Sequence, residues 1–101
     1  MVEIFRMKVE KSHMKGSKLR LPSDSKIDKL PKTHQVFSVS DNQNTWNCRY
    51  EESSDGRHYL HVDEQWDDFK VRINGREISL RKGDDHYSGG APPSYKFEVS
   101  N

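Results

Sequence analysis

A group of histidines and an acid near the middle of the chain first suggests what chemistry this sequence could perform. His61 and Asp63 share one face of a predicted strand, and His58 lies on the other face. A zinc site needs three or four ligands close together, and no further ligands follow nearby. Surface histidines beside a helix cap are therefore the favoured interpretation, and neither a metal nor another cofactor is expected.

Two short motifs are similar to parts of nuclease centres. His13-x-Lys15 begins like the phospholipase D nuclease signature, but Arg20 stands where that signature has an aspartate, and no second copy exists. Residues 68–70, Asp-Phe-Lys, resemble the end of a restriction-nuclease carboxylate motif, but they fall in a predicted helix without an evident acidic partner upstream. Metal-dependent cleavage needs two or more carboxylates at a strand end. The chain by itself is therefore expected not to be an enzyme.

Residues 11–20, KSHMKGSKLR, form a basic segment between two predicted strands. Lysine binds phosphate as a point charge, and serine hydroxyls and backbone N–H groups fix a protein's register on a duplex. An ordinary solvated turn can have the same composition, so this pattern alone does not decide between the two interpretations.

Residues 51–58, EESSDGRH, form a polar loop between two predicted strands whose inward residues are large. The loop is longer than a simple hairpin connection of two to five residues. Arginine can pair bidentately with guanine, and a carboxylate can accept a hydrogen bond from the cytosine amino group. Composition alone nevertheless slightly favours a solvated hairpin tip.

The strands that must position these segments are predicted from alternation of apolar and polar residues. Their inward positions are Phe5, Met7, Val9, Leu19, Leu21, Phe37, Val39, Trp46, Cys48, Tyr50, Leu60, Val62, Tyr95, Phe97 and Val99. Residues 71–73 and 77–80 flank Asn74-Gly75, which predicts a type I′ hairpin. Seven short strands separated by turns indicate a small β-barrel or sandwich.

Two short helices interrupt the predicted strands. Ser25 is expected to cap one that ends at Pro31, and Asp63 to cap another that contains Trp66 and Phe69. Trp66 and Phe69 then lie three positions apart on one side of the second helix. Residues 87–94, YSGGAPPS, are expected to form a loop, since an apolar strand follows them.

The length of 101 residues is that of one domain, and a net charge of +1 does not by itself indicate a nucleic-acid partner. The charges are unevenly distributed, because residues 6–20 carry six basic residues against Glu10, whereas residues 51–68 carry seven acids against Arg57. A lone Cys48 excludes a disulfide framework and fits an intracellular setting. No segment resembles a signal peptide or has transmembrane length, so no membrane association is expected.

The order of short motifs resembles that of a known family. A basic segment with Lys-Ser precedes Leu-Arg-Leu-Pro (residues 19–22) and a predicted helix that ends in Lys-Leu-Pro (residues 29–31). There follow Trp46-x-x-Arg49-Tyr50, Tyr59-Leu60, Trp66-x-x-Phe69 and Leu80-x-Lys82-Gly83-Asp84. Together these motifs, within residues 5–99, resemble the B3 DNA-binding domain. This pseudobarrel is shared by plant transcription factors and by recognition domains of some bacterial restriction endonucleases.

The resemblance implies a mainly β fold, a seven-stranded open barrel with two short helices, in which two non-catalytic arms contact the major groove of double-stranded DNA. The N-arm (residues 11–18) joins the first two strands, and the C-arm (residues 51–58) joins the fourth and fifth. On this basis the N-terminal residues expected to contact DNA are Lys8, Lys11, Ser12, His13, Lys15, Ser17, Lys18 and Arg20. Those expected to read bases or to position the C-arm are Arg49, Glu51, Glu52, Ser53, Ser54, Asp55, Arg57 and His58.

The sequence departs from the plant pattern at two places. Residues 70–79 insert a predicted hairpin before the Leu-x-Lys-Gly-Asp motif, and residues 84–94 stand where plant members have an apolar strand. Both departures favour the restriction-endonuclease version of the family. The C-arm acids favour it as well, since they would suit a C·G-rich target.

Residues 1–101 are therefore predicted to be one sequence-specific DNA-recognition domain that binds as a monomer. The favoured setting is a restriction endonuclease of the bacterial cytoplasm, with a catalytic domain elsewhere in the parent protein. A plant-type transcription-factor domain in the nucleus is the alternative. A single-strand or RNA-binding barrel, a nuclease acting alone and a protein-interaction barrel are further alternatives.

Overall fold

The structure is a computed structural model that describes residues 2–41, 43–83 and 95–100. Its strands are β1 (Val2–Lys8), β2 (Met14–Lys15), β3 (Lys18–Arg20), β4 (Val36–Ser40), β5 (Thr45–Glu52), β6 (His58–Val62), β7 (Glu77–Lys82) and β8 (Tyr95–Val99). Helix α1 covers Trp66–Ile73, and two 3₁₀ helices cover Lys11–His13 and Ile27–Lys29. The predicted loop at residues 87–94 and the position of Asp84 lie outside the described residues.

The described strands form one curled sheet in the order β1-β7-β8-β4-β5-β6-β3-β2. Neighbouring strands are antiparallel, except that β4 and β8 are parallel. Since β1 and β2 lie at opposite ends of this order, the described sheet forms an open barrel. The predicted mainly β fold is confirmed, although the sheet has eight strands rather than seven. The additional strand is β2, which pairs with β3 inside the basic segment.

The inward positions predicted by alternation form the core. Leu19, Val39, Leu60 and Val62 are fully buried, and Trp46 and Phe97 are nearly so. Val99 is half-buried against this core. Phe69 is the centre of an aromatic cluster: its ring centroid lies 5.4 Å from that of Trp46 and 5.3 Å from that of Phe97, both edge to face.

The predicted hairpin at Asn74-Gly75 is wrong. Residues 71–73 belong to α1, because Trp66, Phe69 and Ile73 recur at helical spacing and are all buried. Asn74 has φ −59° and only Gly75 has a positive φ, +75°, whereas a type I′ turn needs positive φ at both positions. Asn74-Gly75 instead ends α1 and leads the chain into β7.

The two predicted helix caps are also wrong by one or two residues. The Ser25 hydroxyl donates to the carbonyl of Pro22 at 2.6 Å, and Lys26 stands at the cap of the 3₁₀ helix. Gln65 stands at the cap of α1. Its side chain accepts from the Asn47 N–H at 3.1 Å and donates to the Thr45 carbonyl at 3.0 Å, so it attaches the start of α1 to β5.

Candidate nucleic-acid interface

Strand pairing brings residues of both arms onto one surface. Across β4, β5, β6, β3 and β2, the register aligns Val36, Arg49, His61, Lys18 and Lys15 in a single row. Paired residues point to the same side of a sheet. Because the adjacent row of Phe37, Cys48 and Val62 is buried, the first row lies on the outer surface. We call this surface, which also includes Glu51 and Asp63, the arm face.

The N-arm is built from a 3₁₀ helix and the β2–β3 hairpin. Gly16 and Ser17 connect the two strands, and Gly16 has φ +59°, a conformation that glycine adopts without a Cβ clash. Lys15 and Lys18 are therefore cross-strand neighbours on the arm face. His13 is fixed at the start of the arm, where its Nδ1 accepts from the Glu10 N–H at 2.9 Å, so its Nε2 is the ring nitrogen that faces other partners.

Glu51 connects the two arms. Its Oε2 lies 3.1 Å from Lys18 Nζ and 3.5 Å from His61 Nδ1, while its Oε1 lies 3.6 Å from His34 Nδ1. Its side chain is only 16% exposed. Burial by itself would raise the pKa of Glu51, but Lys18 and the neighbouring positive charges together outweigh burial. The pKa of Glu51 therefore lies below its ordinary value. Glu51 is thus a charged tether between β5 and β3, with its oxygens directed at side chains of this chain.

Arg49 and Asp63 form the second ion pair of the arm face. Arg49 Nη2 donates to Asp63 Oδ1 at 2.8 Å, and His61 Nε2 lies 3.2 Å from the same oxygen. His61 is therefore placed between two carboxylates, Glu51 on one side and Asp63 on the other. Within the described ranges no group of three or more His, Cys, Asp or Glu side chains is arranged to hold a metal ion.

The loop at the end of the C-arm is shorter than the sequence predicted. Glu51 and Glu52 extend β5 and His58 begins β6, so only residues 53–57 form the connection. The backbone closes it through Ser53 N–H to Arg57 O at 2.9 Å and Gly56 N–H to Ser53 O at 3.0 Å. The five residues are therefore an ordered hairpin loop within the usual length range.

Glu52 and His58 lie on the opposite side of the hairpin from Glu51. They pair with one another and follow the inward positions Tyr50 and Leu60 in alternation. His58 Nδ1 shares a hydrogen bond of 2.6 Å with the Tyr50 hydroxyl. Glu52 and His58, both predicted to contact DNA, therefore lie on the opposite side of the sheet from the arm face.

The remaining predicted contact residues are spread around the arms. Lys8, Lys11, Ser12, Lys15, Arg20 and Ser54 are exposed, and Ser17 is half-buried in the N-arm turn. Arg20 pairs with Tyr59, two positions along β3 from Lys18 and on the same side of the sheet. In the part of the chain that the structure describes, no acid lies within ion-pair distance of Lys8, Lys11, Lys15 or Arg20.

Three residues of the arm face, Val36, His61 and Asp63, were not among the predicted contacts, and neither was His34, which lies beside Glu51. Val36 is 57% exposed beside Arg49. Alternation along β4 and β6 already directs Val36 and His61 outward, but only strand register shows that they share a row with the arm lysines. Cys48 is buried beneath this row, and its burial raises the pKa of its thiol to about 12.

No family model and no curated protein sequence matches this chain. In three dimensions it is similar to a solved structure, the "Arabidopsis FUS3-DNA complex", with a TM-score of 0.60 and 17% sequence identity. The superposition covers 98% of this chain and 97% of that chain. The fold is a B3-like pseudobarrel. The correspondence extends over the whole length, so the fold that the motifs predicted is confirmed.

Proposed function

We propose that this chain binds double-stranded DNA and reads its sequence through the major groove. The observation that carries the proposal is the arm face, where Lys15, Lys18 and Arg49 lie in one row between the two arms. The structural neighbour with the same fold was solved in complex with DNA. Beside the ion-paired Lys18 and Arg49, the exposed Lys8, Lys11, Lys15 and Arg20 have no acid within ion-pair distance among the described residues. Such cations suit contacts with phosphate, which supply most of the affinity in such complexes.

The burial of the aromatic residues supports a duplex rather than a single strand as the ligand. Binding of single strands uses exposed aromatic rings on which bases stack. Among the described residues, every Phe and Trp is buried, as are Tyr50 and Tyr95. Tyr59 is half-buried, with Lys18 Nζ 5.9 Å from its ring centroid. The arm face therefore offers charge and hydrogen-bonding groups, with little aromatic surface.

The parent protein is a separate question. The hairpin that favoured a restriction-endonuclease setting is replaced by the end of α1, and the second sequence departure, residues 84–94, lies outside the described residues. Glu51 and Asp55, which were expected to suit a C·G-rich target, contact side chains of this chain. We therefore propose a B3-type DNA-recognition domain, and a restriction-endonuclease setting remains a sequence-based prediction alongside the plant-type alternative.

We propose further that this domain is not catalytic. Three observations support the proposal: His13 is hydrogen-bonded to Glu10, Asp68 and Lys70 are exposed on α1, and the described residues include no group of three or more His, Cys, Asp or Glu that could hold a metal ion. Incubation of the chain with supercoiled plasmid and Mg²⁺ is expected to leave the plasmid intact, and nicking above that of a mock purification would refute this.

Selection from a pool of randomised duplexes tests the main proposal. We expect enrichment of a short consensus, and fluorescence anisotropy should show tighter binding to the selected duplex than to a scrambled one. A single strand of the same sequence should compete poorly. Failure to enrich any sequence, or preferential binding of the single strand, would overturn the proposal.

A further inference from the structure

The C-arm loop is a turn with a fixed backbone. A hydrogen bond from the Gly56 N–H to the Ser53 carbonyl closes the turn, and Gly56 itself lies in the left-handed region with φ +83°. This arrangement, a tight turn followed by a glycine with positive φ, is common in hairpins whose loops contain a bulge. The Arg57 N–H donates to Ser53 Oγ at 3.1 Å. The backbone positions of Asp55 and Arg57 relative to each other are therefore set by hydrogen bonds within the loop.

Both carboxylate oxygens of Asp55 are used inside this loop. Its Oδ1 accepts from the Ser53 hydroxyl and from the Arg57 N–H, the latter at 3.3 Å. Its Oδ2 lies 3.3 Å from Arg57 Nε. The hydrogen bond from Ser53 is the main reason that the pKa of Asp55 lies below its ordinary value. Asp55 is thus a charged acceptor whose two oxygens face groups of its own loop.

Arg57 has one side of its guanidinium engaged and the other side open. Nε faces Asp55, and in the described parts of the chain neither Nη atom has an ion-pair or hydrogen-bond partner. Guanidinium is a planar fork that can meet two acceptors at once. With Nε turned towards Asp55 Oδ2 at 3.3 Å, the two Nη groups form the pair of donors directed elsewhere, and their spacing matches O6 and N7 of guanine.

We propose that Asp55 is a positioning residue that directs the Nη edge of Arg57 towards a guanine in the major groove, and that Asp55 itself does not read cytosine. The proposal rests on the proposed function and identifies one base that the C-arm recognises. The exposed ion pair between Asp55 and Arg57 contributes little to the stability of the fold. The main effect of the carboxylate is therefore on the ability of Arg57 to distinguish one base from another. Its negative charge beside DNA simultaneously weakens attraction to phosphate.

These two effects of Asp55 have opposite signs, which makes the proposal testable. Asp55→Asn keeps a side-chain oxygen for the loop N–H and removes the charge. We expect it to bind a scrambled duplex as tightly as the unmodified protein or more tightly. At the guanine read by Arg57, its discrimination against adenine should fall by about threefold or more. A role confined to loop folding would weaken binding to all duplexes together.

The guanine is located first. In the selected duplex each guanine is replaced in turn by 7-deazaguanine, which lacks the N7 acceptor, and one replacement should weaken binding by about tenfold. Arg57→Ala should be insensitive to that replacement, because it removes both donors that would face O6 and N7 of the guanine. Asp28→Asn is the matched control. Asp28 is exposed in the 3₁₀ helix outside both arms, and its substitution should leave discrimination unchanged.

Four results would overturn the proposal. Full discrimination by Asp55→Asn, or loss of discrimination at a cytosine instead of a guanine, would refute it and leave the proposed function intact. If no 7-deazaguanine replacement affects the unmodified protein differently from Arg57→Ala, the guanine contact is refuted. If the unmodified protein binds no duplex, the proposed function fails, and this inference fails with it. Thermal melting of each variant should stay close to that of the unmodified protein, which assigns the changes to binding.

Discussion

Lys15→Ala is the most direct test of the phosphate contacts assigned to the N-arm. Lys15 is exposed at the end of the β2–β3 hairpin, and the described residues place no acid within ion-pair distance of it. Its cross-strand partner is Lys18, another cation. Lys15 can therefore approach a phosphate without first breaking an ion pair, whereas Lys18 is already paired with Glu51 at 3.1 Å.

The size of the effect follows from counterion release. Each phosphate neutralised on B-DNA contributes about −0.9 to the slope of log K against log salt concentration. Removing one contact should therefore reduce the magnitude of the slope by about 0.9. Between 50 and 200 mM salt, the affinity of the unmodified protein should then fall about 3.5-fold more than that of the variant. Because this contact carries no sequence information, the affinities for selected and scrambled duplexes should change alike.

Fluorescence anisotropy titrations at several salt concentrations measure this slope. Lys70→Ala is the matched control, since Lys70 is an exposed lysine on α1, outside both arms; its slope should equal that of the unmodified protein. Because like charges facing each other across a strand pair are destabilising, Lys15→Ala should not lower the free energy of unfolding. As a surface substitution, it should change that free energy by no more than about 0.5 kcal/mol. An unchanged salt slope, or equal slope changes in both variants, would refute a phosphate contact at Lys15.

Two further predictions concern stability. Phe69 is 1% exposed and packs against the rings of Trp46 and Phe97. Phe69→Ala should lower the free energy of unfolding, measured with denaturant, by about 3–5 kcal/mol. A loss below about 1 kcal/mol would contradict its central packing. Burial by itself would raise the pKa of Asp41, but the hydrogen bonds from two backbone N–H groups and Arg72 together outweigh burial. The pKa of Asp41 therefore lies below its ordinary value. The charged form of Asp41 therefore stabilises the folded protein. This contribution is complete above the unfolded pKa of about 3.9 and is lost as pH falls through the folded pKa. The stability advantage over Asp41→Asn should therefore shrink in acid, and an advantage independent of pH would contradict the linkage.

Alternation in the sequence was sufficient to identify most of the strands and their inward sides. Trp46, Cys48 and Tyr50 were predicted to be inward and are buried, because a strand places successive side chains on opposite faces whatever the strand pairs with. The order of short motifs further indicated the B3-like pseudobarrel. Local pattern was weaker at residues 71–73, where three residues before Asn-Gly fit either a strand or the last turn of a helix.

The positions of helix ends and the contacts between the arms depended on tertiary structure. α1 continues to Ile73 because its buried side packs into the core, where Phe69 contacts Trp46 of β5 and Phe97 of β8. The dipeptide Asn74-Gly75 does not by itself indicate that packing. The composition of the C-arm similarly gives no means to distinguish an acid that reads a base from one that holds a cation. The distinction depends on which side chains lie within a few ångströms.

The sequence by itself therefore determined which residues lie inside the barrel, since this follows from the period of a strand. The two arms were assigned through the resemblance to the B3 domain, because local composition alone did not distinguish them from solvated turns. Only the tertiary structure decided that Glu51 pairs with Lys18, more than thirty positions earlier, and that Lys15, Lys18, His61 and Arg49 form one row. These contacts arise from the register between strands that are distant in sequence. A shift of one residue in that register would move every one of these side chains to the opposite face.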